Sequence, residues 1–113
     1  MDEAAVVDKE AMREAAQAAC ALMKVLSNPD RMLLLCELSE GERNVGELQE
    51  NVGIQQPTLS QQLAVLREEE LVATRREGKN IYYSVASPQA LAVLQVLHAQ
   101  FCAPKSRAKR SRK

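Results

Sequence analysis

The stretch Gln56-Pro57-Thr58-Leu59-Ser60-Gln61-Gln62-Leu63-Ala64-Val65-Leu66 decides the fold. Leu59, Leu63 and Leu66 recur at helical spacing and form an inward stripe, while Thr58, Gln61, Gln62 and Val65 occupy another face. Pro57 suits the first position of this helix, where a missing N–H costs nothing. Upstream, Asn44-Val45-Gly46-Glu47 sets a cap residue three places before a glutamate, the capping-box arrangement, and opens a short helix through Val52 that Gly53 can end in a left-handed conformation. Two short helices joined through a glycine-containing turn, the second with a polar face, read as a helix-turn-helix.

Downstream the texture changes. Leu71-Val72-Ala73-Thr74-Arg75-Arg76, then Glu77-Gly78-Lys79-Asn80, then Ile81-Tyr82-Tyr83-Ser84-Val85 read as strand, turn and strand. The expected fold is therefore mainly α with a small β-hairpin wing: a winged helix-turn-helix of four helices, a hairpin and a fifth helix. The first helix is drawn by the apolar spacing Met12, Ala15, Ala16, Ala19, Leu22, Met23 and Leu26. Ser27-Asn28-Pro29-Asp30 breaks and restarts the chain, with Asn28 as cap and Pro29 at the first position. The second helix, about residues 29 to 39, holds Met32, Leu33, Leu34, Leu35, Cys36 and Leu38 and should cross the core, with Gly41 stopping it. Ser87-Pro88 opens the last helix, where Leu91, Val93, Leu94, Val96, Leu97, His98 and Phe101 cover most of the circumference. So broad an apolar surface calls for a partner.

With 113 residues the chain has room for one core, and 46% hydrophobic with 27% charged residues is ordinary for a globular fold. The formal charge of zero hides two opposite fields. Residues 105 to 113 hold six of the 15 bases and no acid, leaving nine bases against 15 acids in the remainder. The expected division is a DNA-binding and dimerisation domain over 1 to 104 and a disordered basic tail over 105 to 113. An acidic amino terminus and the lack of any apolar run near 18 residues point to a cytoplasmic protein with no membrane partner. The three cysteines, Cys20, Cys36 and Cys102, include no Cys-x-x-Cys and no Cys-His cluster. That argues against a disulfide framework, a zinc knuckle and, without strand-helix alternation, a thiol oxidoreductase. The expectation is a non-enzyme with no cofactor.

A merely solvated helix face would carry Lys and Glu, whereas Gln56, Thr58, Ser60, Gln61 and Gln62 suit hydrogen bonds to base edges and phosphates. Arg75, Arg76 and Lys79, grouped at the hairpin tip of an acidic body, are candidate minor-groove or phosphate contacts. Glu68-Glu69-Glu70 places negative charge near the same side.

Three segments add a resemblance. Leu26-Ser27-Asn28-Pro29-Asp30-Arg31, the run from Gln56 to Leu66, and Leu71 through Lys79 resemble the ArsR/SmtB family of bacterial repressors, and the likeness spans residues 10 to 102. It implies a homodimer paired through its first and last helices, a double-stranded inverted-repeat operator, and release of DNA when an inducer binds. Arsenic and cadmium sensors of the family carry Cys-Val-Cys where this chain has Asn44-Val45-Gly46. Zinc and nickel sensors use Asp and His pairs where it offers Ser87, Pro88 and Gln89, and His98 is its one histidine. Leu35-Cys36-Glu37-Leu38 and Phe101-Cys102-Ala103 look like the cysteine segments of the sulfide- and persulfide-responsive branch. The resemblance then implies that Cys36 and Cys102 are a redox-sensing pair, that low-molecular-weight persulfides are the inducer, and that the regulated genes handle sulfide. A zinc-, cadmium- or arsenite-responsive repressor of the same family is the alternative. Taken without the resemblance, Cys36 is a small buried hydrophobe. Cys20 and His98 receive no function, His98 being read as a dimer-interface residue. Glu70 departs from the family, standing where a small residue, often Gly, closes the recognition helix.

Overall fold

The computed structural model describes residues 8–102, so the basic tail expected over 105 to 113 lies outside the described residues. The order is α1 (Lys9–Leu26), α2 (Pro29–Leu38), β1 (Arg43–Asn44), α3 (Val45–Val52), α4 (Thr58–Glu68), β2 (Val72–Glu77), β3 (Asn80–Val85) and α5 (Pro88–Phe101). This is the winged helix-turn-helix expected, with one strand more.

Side-chain caps set several helix starts. Asn28 Oδ1 accepts the Arg31 N–H at 3.0 Å, and the Ser87 hydroxyl accepts that of Ala90 at 3.0 Å. Asn44 and Glu47 close a full capping box, each accepting the other's backbone N–H at 2.9 Å. Such a cap contributes about 1 kcal/mol. Asp8 accepts the Glu10 N–H at 3.2 Å, which starts α1 before the apolar stripe that drew it. Gly53 ends α3 at φ 81, the left-handed region that favours glycine. Pro57 differs from the expectation: it stands at the cap position and α4 begins one residue later. Having no side-chain acceptor, it leaves the capping to Gln56, whose Oε1 accepts the Ser60 N–H at 3.1 Å and the Ser60 hydroxyl at 2.7 Å.

The sheet runs β1-β3-β2, antiparallel throughout. The expected hairpin is present with a tighter turn: pairing from Val72 with Val85 to Glu77 with Asn80 takes Glu77 and Asn80 into the strands and leaves Gly78 and Lys79 as a two-residue loop. Gly78 takes φ 62 there, where such loops call for glycine. Strand β1, pairing Arg43 with Tyr83, was not expected, because two residues carry no periodicity.

Leu34, Leu35, Leu48, Leu59 and Leu66 are fully buried and join α2, α3 and α4 into one core, with Leu63, Leu71, Val72, Ala90 and Leu94 around them. The leucine stripe of α4 faces inward as expected. Helix α2 crosses the core with one side only, leaving Leu33 50% exposed. Helix α1 buries Val25 and Leu26 alone, and α5 buries Ala90 and Leu94 alone. No described helix is long and apolar enough to cross a membrane.

Candidate functional site

Two sets of residues carry the candidate chemistry, one on the α4 face and wing, the other where α2 meets α5. On α4, Ser60 and Gln61 are exposed while Thr58 and Gln62 are half-buried. Gln56 and Ser60 are joined by the bonds just described. Gln62 is also engaged, because Arg31 Nη1 donates to its Oε1 at 2.9 Å while Arg31 Nε donates to the Val25 carbonyl at 2.7 Å. A guanidinium only donates, so the amide must turn its oxygen toward Arg31. The bond takes one of the two acceptor positions of that oxygen and fixes the amide's orientation toward the protein. The sequence reading missed Arg31. A signal was present: a cation in the first turn of α2 opposes the helix dipole and needs another reason to be there.

The wing bases are not equivalent. Arg75 donates through Nη2 and Nε to Glu42 at 2.8 and 3.0 Å and through Nη1 to Glu77 at 2.7 Å, and its guanidinium lies 4.9 Å from the centre of the Tyr82 ring. The bonds from Arg75 hold the Glu42 carboxyl below its ordinary pKa and raise that of Arg75. Arg76, the next residue along β2, turns to the opposite face of the hairpin. Arg76 and Lys79 are exposed and make no ion pair among the described residues. The three bases expected at one tip are therefore two open cations and one already held by acids.

At the other site, Cys36 is half-buried on α2 in the wall of a cleft of about 460 Å³, together with Glu37, Asn51, Val52, Leu94 and His98. The cleft is thus bounded by α2, α3 and α5. Cys102 is exposed at the carboxyl end of α5, its N–H donating to the His98 carbonyl at 2.8 Å, so His98 and Cys102 stand one turn apart. Burial pushes the Cys36 thiol pKa up, and the nearby charge of Cys102 raises it further. Glu37 accepts from Arg43 Nε at 2.8 Å and from Asn51 Nδ2 at 2.9 Å, bonds that lower its pKa and tie α2 to β1 and α3. Cys20 is exposed on α1. His98 is exposed and lines the same cleft as Cys36. Among the described residues, no group of three or more His, Cys, Asp or Glu is placed to hold a metal ion.

A helix-turn-helix whose second helix turns an uncharged polar face outward, backed by a two-stranded wing, defines a winged helix-turn-helix DNA-binding regulator. Residues 28–74 match the family described as bacterial regulatory protein, arsR family, and the chain belongs to that family. It is 49% identical over 94 residues to the biofilm growth-associated repressor of Agrobacterium fabrum, covering 83% of this chain and 80% of the relative. The crystal structure of the transcriptional repressor BigR from Xylella fastidiosa superposes with TM-score 0.78 at 46% identity, over 86% of this chain and 99% of that one. Reduced HlyU from Vibrio cholerae does so with TM-score 0.78 at 35% identity, over 82% and 98%.

Proposed function

We propose that the protein is a homodimeric repressor that binds an inverted-repeat operator through α4 and the wing, and leaves it when Cys36 and Cys102 become covalently joined by a low-molecular-weight persulfide. The observation that carries the thiol reading is that Cys36 shares its cleft with Leu94 and His98 of α5, the helix that ends at Cys102 one turn after His98. The cleft beside Cys36 gives a small donor room to approach. The names of the relatives support repression.

The chemistry requires a pair. Exposed Cys102, as thiolate, attacks the outer sulfur of a persulfide R–S–SH and expels RS⁻, which leaves Cys102 carrying an extra S–H. The Cys36 thiolate then attacks the sulfur bonded to Cβ of Cys102 and expels HS⁻, joining the two side chains. The two electrons lost by the protein thiols leave with the donor's sulfurs, so no other oxidant is needed. If a second donor first lengthens the chain, attack one sulfur further out leaves a trisulfide by the same balance. Either bridge ties the end of α5 to α2 and changes the spacing of the two α4 helices in the dimer. By analogy with the resembled branch, the controlled genes handle sulfide or other reactive sulfur.

The test is operator binding with intact-protein mass measurement before and after glutathione persulfide. Wild-type protein is expected to release DNA as it gains a bridge, while Cys36→Ser and Cys102→Ser stay bound. Equal release by Cys36→Ser would falsify the dithiol reading.

A further inference from the structure

Arg31 joins three helices. It belongs to the first turn of α2, and it donates to the last turn of α1 at Val25 and to Gln62 of α4. Helix α1 is the one whose apolar side is open, and α4 is the one read as meeting the duplex. We propose that Arg31 and Gln62 are a positioning pair: Gln62 does not read DNA but fixes the orientation of α4 against α1 and α2 through Arg31.

Gln62 is half-buried with its amide oxygen turned to Arg31, whereas its neighbour Gln61 is exposed. The two glutamines are adjacent in sequence, and helical geometry separates them by about 100° around α4. Gln61 points where a groove would be and Gln62 points at the protein. Arg31 suits this place because its planar fork reaches two acceptors on different helices at once, which a lysine ammonium on a flexible stem does with far less geometric definition. In a dimer that pairs through α1, the angle between the two α4 helices is set by whatever ties α1 to α4, and this guanidinium is such a tie.

The proposal rests on α4 being the helix that reads the duplex. The experiment uses the full chain and a duplex selected from a randomised library by the wild-type protein, with dissociation constants measured over a salt series and melting curves as the folding control. Gln62→Glu is the discriminating variant. Its carboxylate still accepts from Arg31, so binding within about twofold of wild type is expected; a side chain facing phosphates would instead bring like charge to them and lose roughly tenfold or more. Arg31→Met and Gln62→Leu are each expected to weaken binding by roughly tenfold, with the double variant no weaker than the worse single, as for two residues acting through one contact. The salt slope stays at the wild-type value because no phosphate contact is lost. Base preference stays unchanged at every operator position.

A lost preference at one position in Gln62→Leu, a salt slope reduced by about one in Arg31→Met, or additive losses in the double variant overturn the proposal. If Arg31→Met fails to fold, Gln62→Glu decides alone. Failure of the underlying reading looks different: Ser60→Ala and Gln61→Ala would then leave both affinity and base preference untouched.

Discussion

Apolar side chains behave in opposite ways in two parts of this molecule. Between α2, α3 and α4 the leucines are sealed, with Leu34, Leu35, Leu48, Leu59 and Leu66 at or near zero exposure. Along α1 and α5, Met12, Met23, Val96 and Phe101 are between 56% and 76% exposed. Single exposed hydrophobics are normal on any surface, but two helices apolar along much of their length and open to water are the mark of an interface. The contrast divides the molecule into a helix-turn-helix half whose core one chain seals by itself and an α1 and α5 half whose apolar side chains it leaves open, the surface on which the proposed second copy would pack.

The sharpest way to break the contrast is to make a deletion on each side. Leu59→Ala removes a fully buried side chain and should lower stability by about 2 to 5 kcal/mol in a denaturant melt, with no dependence on protein concentration beyond that of wild type. Val96→Asp should leave the helix-turn-helix folded and weaken self-association by roughly tenfold or more, because a buried valine is worth about 1.5 kcal/mol or more and a two-fold interface loses it twice. Sedimentation reads the second effect. A Val96→Asp protein that self-associates like wild type would remove α5 from the interface.

The thiol site lies at the border between the two halves and sharpens the comparison through pH. Burial, and then the charge of Cys102, raise the pKa of Cys36, which lowers its thiolate fraction at neutral pH and slows its attack without abolishing it. Alkylation by iodoacetamide should therefore mark Cys102 before Cys36 at pH 7, with the Cys36 rate growing about tenfold per pH unit below its pKa as the thiolate fraction grows. Cys102→Ser removes the neighbouring negative charge that appears when Cys102 ionises, so the Cys36 pKa falls and its rate at pH 9 rises. Peptide mapping of the alkylated protein checks both directions.

How much of this was legible beforehand follows from which features are local. Asn28, Asn44 with Glu47, and Ser87 with Pro88 announce helix starts because a cap is a contact over three residues, and each stands as read. Strand β1 was invisible since its existence depends on Tyr82 and Tyr83 arriving from far along the chain. The candidate site divides in the same way. Residue type and spacing picked out the α4 face, yet the engagement of Gln62 by Arg31 and of Arg75 by Glu42 joins residues about thirty apart, which no periodicity reports. The proposed pairing of Cys36 with Cys102 rests in sequence on resemblance alone, since Cys36 inside a leucine run has the pattern of a core residue.

Glu70 is where sequence and structure meet most directly, and it yields the smallest of the expected effects. After α4 the chain turns with Leu71 N–H donating to the Leu66 carbonyl at 2.9 Å and Glu70 N–H to that of Arg67 at 3.0 Å, a closure that requires a left-handed residue. Glu70 fills it at φ 65, where Cβ crowds its own backbone at about 1 kcal/mol or somewhat more. Glycine removes that strain but adds freedom to the unfolded chain, worth roughly 0.4 to 1 kcal/mol in the other direction. Glu70→Gly should therefore stabilise the protein by about 0.5 kcal/mol, a shift of a few degrees in melting temperature. The same change removes one of three consecutive acids at the end of α4 and should tighten operator binding modestly at low salt, with the gain fading as salt screens it. Glu70→Gln separates the two effects: it keeps the strain, so it should leave the melting temperature near wild type while reproducing the change in DNA affinity.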